Sequence, residues 1–276
     1  MKDFHMPNII SDKAYIQSIS RALVKARQTL TPLAEFPGEL PADLETAYAV
    51  QAESIKAWPS KVVGWKVGGV PPHLQDEFKA TRMAGPVFSE FVKTCAEGET
   101  VTMGAFPDGF VAMEAEYIVV LKDISSLDRD ITLDDMSEFV EAMYTGVEIA
   151  SSPMIKVNAN GPTSIVSDFG NNTGMIYGPK VENPFNVDFT KHIVSVTIDG
   201  ETVGAKPTGY GEEGPFGAVK FLVNHLRAHN IAVEAGTAVS TGAVSGVHET
   251  KIGTHSKINF EGLATFNVDL VPFELC

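Results

Sequence analysis

The chain is short of cysteine, of basic residues and of long apolar runs, and each shortage removes a class of protein. Only two cysteines occur in 276 residues, Cys95 and the final Cys276. They are too few and too far apart for a disulfide framework or a cysteine-built metal site, so a reducing cytoplasm is the expected location. Lysine and arginine number 21 against 35 acidic residues, a net charge of −14. Such a surface repels nucleic-acid phosphates and has few cations with which to displace their counterions, so no nucleic-acid partner is expected. No uninterrupted apolar run approaches the roughly 18 residues of a membrane span, and none is expected. The opening "MKDFHMPNIISDK" has neither the apolar stretch nor the small-residue cleavage site of a secretion signal.

Several catalytic signatures are missing as well. There is no G-x-S-x-G nucleophile elbow and no HExxH, although seven histidines are present. His225 and His229, four apart, read as residues at a helix end, where positive charge favours the dipole. "GWKVGG" and "GYGEEG" are glycine-rich but lack the lysine pattern and the setting of a phosphate loop. The chain has no internal repeat and no low-complexity tract.

What is present is a globular balance, 44% apolar and 20% charged, in a chain long enough for one large domain or a small one joined to a large one. Residues 11–30 place Tyr15, Ile16, Ile19, Leu23 and Ala26 at three- and four-residue steps, which predicts a helix with Ser11 as its cap and Thr31-Pro32 as its end. A proline-rich connection leads to a second predicted helix over 42–57. Residues 1–60 thus form an N-terminal helical subdomain, and 61–276 the main body. There, short β-favouring runs alternate with turns: "VVGWKVGG", "AMEAEYIVVL", "TSIVSDFG", "TGMIYGP", "HIVSVTIDG", "GTAVSTGAVSG" and "INFEGLATFNVDLV". "VSVTIDGETVG" predicts a hairpin about its Asp-Gly turn. Helices are predicted at 134–144 and at 215–229, with Pro215 in the first turn. Many strands with few strand–helix–strand alternations predict an α+β body rather than a doubly wound sheet.

The chemistry is concentrated in "AMEAEYIVV", residues 112–120. Side chains alternate across a strand, so Glu114 and Glu116 project from one face in an otherwise apolar run. Two buried like charges need a cation or a large pKa shift, and carboxylate oxygens are natural ligands of Mg²⁺ or Mn²⁺. Glu148, in the apolar "YTGVEIASS", offers a third acid from a neighbouring element.

The ordered segments "LETAYAVQ", "VVGWKVGG", "MEAEYIVVL", "GVEIASSPM", "VSDFGNN" and "VSTGAVSG" together resemble the fumarylacetoacetate hydrolase superfamily, in its hydratase/decarboxylase branch. The resemblance runs from about residue 10 to the C-terminus. It implies a mixed β-roll with an N-terminal helical part. It also implies an Mg²⁺ or Mn²⁺ held by Glu114, Glu116 and Glu148, and a catalytic lysine, Lys66, pointing into the site. Asp168 and Asn171 are then expected to contact substrate, and Ser240, Thr241 and Gly242 to line its pocket. Lys66 beside the metal would be desolvated and lowered in pKa.

In one place the resemblance breaks. Family hydratases carry an acid shortly after the lysine, whereas "TRMAGPVFSE" has Met83-Ala84-Gly85 there. Three possibilities follow: decarboxylation in place of hydration, another acid such as Asp76 or Glu77, or a substrate that needs only metal and lysine. Arg82 is placed to pair with a second carboxylate on a diacid. The leading expectation is a lyase that hydrates a 2-hydroxypenta-2,4-dienoate-type acid in aromatic-compound catabolism. Its rivals are decarboxylation of 2-oxo-3-hexenedioate, hydrolysis of an acylpyruvate C–C bond, and a non-catalytic partner subunit. The expected partner is a small unsaturated 2-oxo acid, and a homodimer or larger oligomer is expected.

Overall fold

The computed structural model describes residues 9–274; His5 and Cys276 lie outside the described residues. Two helices come first, α1 over Ile9–Gln28 and α2 over Leu44–Ala57. Because α1 begins at Ile9, Ser11 lies inside its first turn and is not its cap. The apolar stripe does what its spacing requires: Ile19, Leu23 and Ala26 are buried. α2 starts at Asp43, whose carboxylate accepts the Thr46 N–H at 2.8 Å, a cap worth about 1 kcal/mol. The inward face of α2 carries Ala47, Val50 and Gln51. The Gln51 amide donates to the carbonyls of Ala84 and Val166 at 3.0 and 2.8 Å. Both helices share one apolar cluster with Met83, Phe110, Ala112, Ala150 and Met154, so they are packed into the body.

The strands follow in chain order: β1 (Val62–Gly69), β2 (Arg82–Phe88), β3 (Val92–Thr94), β4 (Thr100–Ala105) and β5 (Phe110–Leu121). After them come β6 (Val140–Ser152), β7 (Asn172–Lys180), β8 (Ile193–Ile198) and β9 (Glu201–Pro207). The last four are β10 (Ala238–Ser240), β11 (His248–Glu249), β12 (His255–Phe260) and β13 (Ala264–Pro272). One eight-stranded sheet runs β2-β1-β10-β5-β6-β7-β3, with β11 added beside β5, and a five-stranded sheet runs β4-β13-β12-β8-β9. The β8–β9 hairpin turns at Asp199-Gly200, both at positive φ (49° and 88°), as an Asp-Gly turn requires.

Between the sheets lies the main core. Met113, Ala115, Tyr117 and Val147 from the larger sheet meet Val196, Ile258, Phe260 and Phe266 from the smaller. Helix α6 (Phe216–Ala228) covers the same face with Val219, Leu222 and Leu226. Its His225 packs against Tyr48 with the rings tilted and is pushed down to about 4 by burial and then by His229. It is therefore neutral at pH 7 and brings no charge to the helix end. Mixed parallel and antiparallel pairing with a few helices makes this an α+β fold.

Two predicted elements come out differently. Helix formation near 134–144 is confined to a short turn ending with α4 (Met136–Phe139), after the four-residue α3 (Gln75–Phe78). From Val140 the chain pairs with β5 (Val140↔Leu121, Met143↔Val119), and this ladder overrides local helix preference. "TSIVSDFG" is not a strand. Gly161 and Pro162 start helix α5 (Pro162–Ser167), with proline in its first turn. Among the described residues, no helix is long and apolar enough to cross a membrane.

Candidate metal centre

Register alone brings the key side chains to one face. Glu114 pairs directly with Glu148 across β5 and β6, and Ile118 of β5 pairs with Ser240 of β10. Ser240 in turn pairs with Lys66 of β1, and Lys66 with Gly85 of β2. Directly paired residues, and residues two apart, share a face. The ladder therefore aims Glu114, Glu116, Glu148, Ser240 and Lys66 to the side of the sheet away from the main core. The paired acids of "AMEAEYIVV" sit in an apolar strand because its opposite face, Met113, Ala115 and Tyr117, forms that core.

The three glutamates are buried, and one carboxylate oxygen from each lies within 4.8 Å of the others. Glu116 Oε1 and Glu148 Oε2 are buried with no hydrogen-bond partner. Leaving such oxygens unpaired costs several kcal/mol per buried charge, and an all-carboxylate donor set suits a hard divalent cation. The residues thus fit an Mg²⁺ or Mn²⁺. Without the cation, burial and like charge favour the protonated form of two of them. Glu114 is pushed up to about 7 by burial and then by the Glu148 charge, against the pull of Lys66. Burial, followed by the charges of Glu148 and Glu114, drives Glu116 well above the carboxylate range.

Each acid has a support. The Ser240 hydroxyl and the Gly242 N–H, the latter at 2.9 Å, both donate to Glu116 Oε2. The Asn172 amide donates to Glu148 Oε1 at 3.0 Å. Such donors fix a ligand's orientation and favour its ionised, metal-binding form. The buried Lys66 ammonium lies 3.4 Å from Glu148 Oε1 and donates to Asn171 Oδ1 at 3.4 Å. Burial works against its charge, but Glu148, Glu114 and Glu116 outweigh it and hold the pKa above the usual lysine value. That is opposite to the lowering expected from sequence, because three carboxylates surround one cation.

Some expected substrate contacts are committed elsewhere. Both carboxylate oxygens of Asp168 are taken by Arg27, at 2.5 and 2.9 Å, and one also accepts from Ser152 at 2.5 Å. Ser240 and Gly242 serve Glu116, and the Thr241 hydroxyl donates to the Tyr117 carbonyl at 2.7 Å. Asn171 holds Lys66 and donates to Asn158 Oδ1 at 2.8 Å. Arg82 pairs with Gly69, an odd number of residues from Lys66, and so starts from the opposite face. There it lies near Glu213, at 3.9 Å. Asp76 and Glu77 are exposed on α3 and do not replace the missing acid.

The missing acid has a steric counterpart. On the Lys66 face, β2 presents Met83, Gly85 and Val87. A Cβ at Gly85 would collide with the Phe169 carbonyl and come within 2.7 Å of the Gly170 Cα. Phe169, Gly170 and Asn171 are consecutively left-handed (φ 54°, 66° and 55°), and this turn is pressed against Gly85. A bulky residue such as Phe169 seldom adopts that conformation, which costs on the order of 1–3 kcal/mol and persists only where its surroundings enforce it.

Sequence reasoning missed three contributors. Asn172 reads locally as one more turn residue beside Gly170. Arg27 is hidden in an ordinary helical pattern. Tyr210, in the glycine-rich "GYGEEG", bonds the Thr241 hydroxyl at 2.5 Å. Burial keeps its own proton bound well above the usual tyrosine range.

No protein-family model and no curated protein matches the sequence. Solved structures do match the fold. 4-Oxalocrotonate decarboxylase from Pseudomonas putida G7, complexed with magnesium and adipate, superposes with a TM-score of 0.74 at 22% identity. The match covers 94% of this chain and 98% of that one. Fumarylpyruvate hydrolase from Pseudomonas aeruginosa, in complex with Mn²⁺ and pyruvate, gives 0.54 at 16% identity, covering 78% and 91%. 2-Hydroxyhepta-2,4-diene-1,7-dioate isomerase from Mycobacterium marinum gives 0.53 at 16%, covering 77% of each chain. At these identities the likeness is one of fold.

Proposed function

We propose that the protein is a metal-dependent lyase for short unsaturated 2-oxo acids, and that it decarboxylates a vinylogous diacid of the 2-oxo-3-hexenedioate type. The choice of reaction rests on the wall beside Lys66. Hydration needs groups that move protons to and from water and carbon, and the Met83, Gly85 and Val87 wall supplies none. Decarboxylation needs an electron sink and no base. The bond to the terminal carboxylate breaks and carbon dioxide leaves. Its electron pair moves along the conjugated chain to the 2-oxygen, which takes one proton and becomes the enol of 2-hydroxypenta-2,4-dienoate.

A divalent cation on Glu114, Glu116 and Glu148 supplies Lewis-acid polarisation of the 2-oxo acid when bound. The chain's own part is positioning and charge. Lys66, fixed by Asn171 and Glu148, offers an ammonium where enolate charge develops and a proton for the oxygen. Ser240, Gly242 and Asn172 hold the carboxylates in place before substrate arrives. The fold shared with a decarboxylase solved with magnesium and the diacid adipate supports the same reading.

The test is turnover with Mg²⁺ or Mn²⁺, before and after chelation, offering 2-oxo-3-hexenedioate and 2-hydroxypenta-2,4-dienoate separately. The expected product is lighter by one carbon dioxide and is lost with the chelator. A product heavier by one water would replace decarboxylation with hydration. Metal binding without turnover of either acid would point to acylpyruvate hydrolysis or to a partner subunit.

A further inference from the structure

Arg27 belongs to α1, outside the strands that carry the carboxylates, and is only 3% exposed. Its guanidinium lies near two rings, 5.3 Å from the Phe106 centroid and 5.2 Å from that of Phe169. Besides gripping the Asp168 carboxylate, it donates to the Asp168 carbonyl at 3.0 Å, the Asn172 carbonyl at 3.1 Å and the Ser151 carbonyl at 3.4 Å. Asp168 and Asn172 are the residues on either side of the left-handed turn. One planar, permanently charged group therefore holds both ends of a backbone conformation that the chain does not favour by itself.

The turn delivers two side chains to the site. Asn171 accepts from Lys66, and Asn172 donates to Glu148. We infer that Arg27, through Asp168 and the backbone of the turn, is a positioning residue that sets Lys66 and Glu148 for metal and substrate. The inference rests on the reading of the three glutamates as a metal site. It gives α1 a task in that site beyond packing. It also recasts Asp168 as the anchor of the turn.

The test measures Mn²⁺ binding by calorimetry on Arg27→Lys, Asn172→Ala and the double variant, with melting curves in chelator alongside. A lysine keeps the charge but cannot span Asp168 and three carbonyls. Arg27→Lys is expected to melt cooperatively yet bind Mn²⁺ about tenfold more weakly, the size seen when a ligand's support is lost. The double variant is expected to lose little beyond Asn172→Ala, because both changes act through the same residue. With substrate, kcat should fall while KM stays within about twofold, since Arg27 touches no substrate. Should Arg27→Lys fold poorly, Ser152→Ala removes one hydrogen bond from Asp168 and is expected to weaken Mn²⁺ binding in the same direction. Wild-type Mn²⁺ affinity in whichever of these variants folds, or independent losses that multiply in the double variant, would overturn the role of Arg27. A wild-type protein that binds no Mn²⁺ would instead remove the metal reading beneath it.

Discussion

The Lys66 ammonium stands 3.4 Å from Glu148 Oε1, while the other oxygen of that carboxylate, Oε2, is buried without a partner. One carboxylate thus faces a fixed cation on one side and no protein donor on the other. A single lysine among three buried acids leaves two negative charges uncompensated. Protons or a divalent cation must make up the difference.

The proton side of that balance makes a pH prediction. In chelator, Glu114 titrates at about 7 in the native state, against an ordinary value of 4.5. The folded protein then binds this proton more tightly than the unfolded chain. The stabilisation is complete below about pH 4.5 and is lost as pH rises to about 7, on the order of 3 kcal/mol in all. His225, held near 4, works in the opposite sense between about 4 and its ordinary 6.5. Urea unfolding of wild type and Glu114→Gln, compared across this range, isolates the glutamate. The wild type should lose ground to the variant with rising pH, and a constant difference would refute the assignment.

Replacing Glu116 separates fold from metal. Glutamine copies the protonated carboxyl that burial favours, so Glu116→Gln in chelator is expected to melt at or above the wild-type temperature. With Mn²⁺ added, the wild type should gain stability in proportion to ligand binding, and the variant far less. Equal gains would mean that Glu116 is no ligand.

Two glycines only sixteen residues apart in the same antiparallel pair give a matched steric test. Gly85→Ala sets a methyl against the Phe169 carbonyl, whereas a Cβ at Gly69 meets nothing within 4 Å. The first should cost about 1–3 kcal/mol by overpacking and depress turnover, because the displaced Gly170 borders the Lys66 side chain. Gly69→Ala should stay within about 0.5 kcal/mol of wild type. Thermal melts of both decide it, and equal stabilities would show that the turn yields freely.

How much of this was readable in the sequence depended on the range of the interaction. Glu114 and Glu116 were legible as a pair because strand alternation is local, and Glu148 because it sits in a second strand-like run. The two N-terminal helices were legible through their apolar stripes. Asp168 looked like a substrate contact because its partner Arg27 is 141 residues away and carries no local signal. Arg82 looked like a site residue because its face depends on register, and a shift of one residue reverses every face. The 134–144 segment has helical composition, yet its pairing with β5 is a tertiary fact. The lack of an acid opposite Lys66 was visible in the sequence. The turn that leaves no room for a Cβ at Gly85, more than eighty residues away, was not.

The strand order also governs when the site comes into being. β10 lies between β1 and β5, and Ser240 follows Glu116 by 124 residues. During synthesis the acids leave the ribosome long before the strand that joins them to Lys66, and long before the hydroxyl that braces Glu116. Pairings over such separations form late, after the closure of a long loop. A nascent chain therefore presents ordinary, loosely held glutamates, and a cation would meet the complete donor set only in the finished protein.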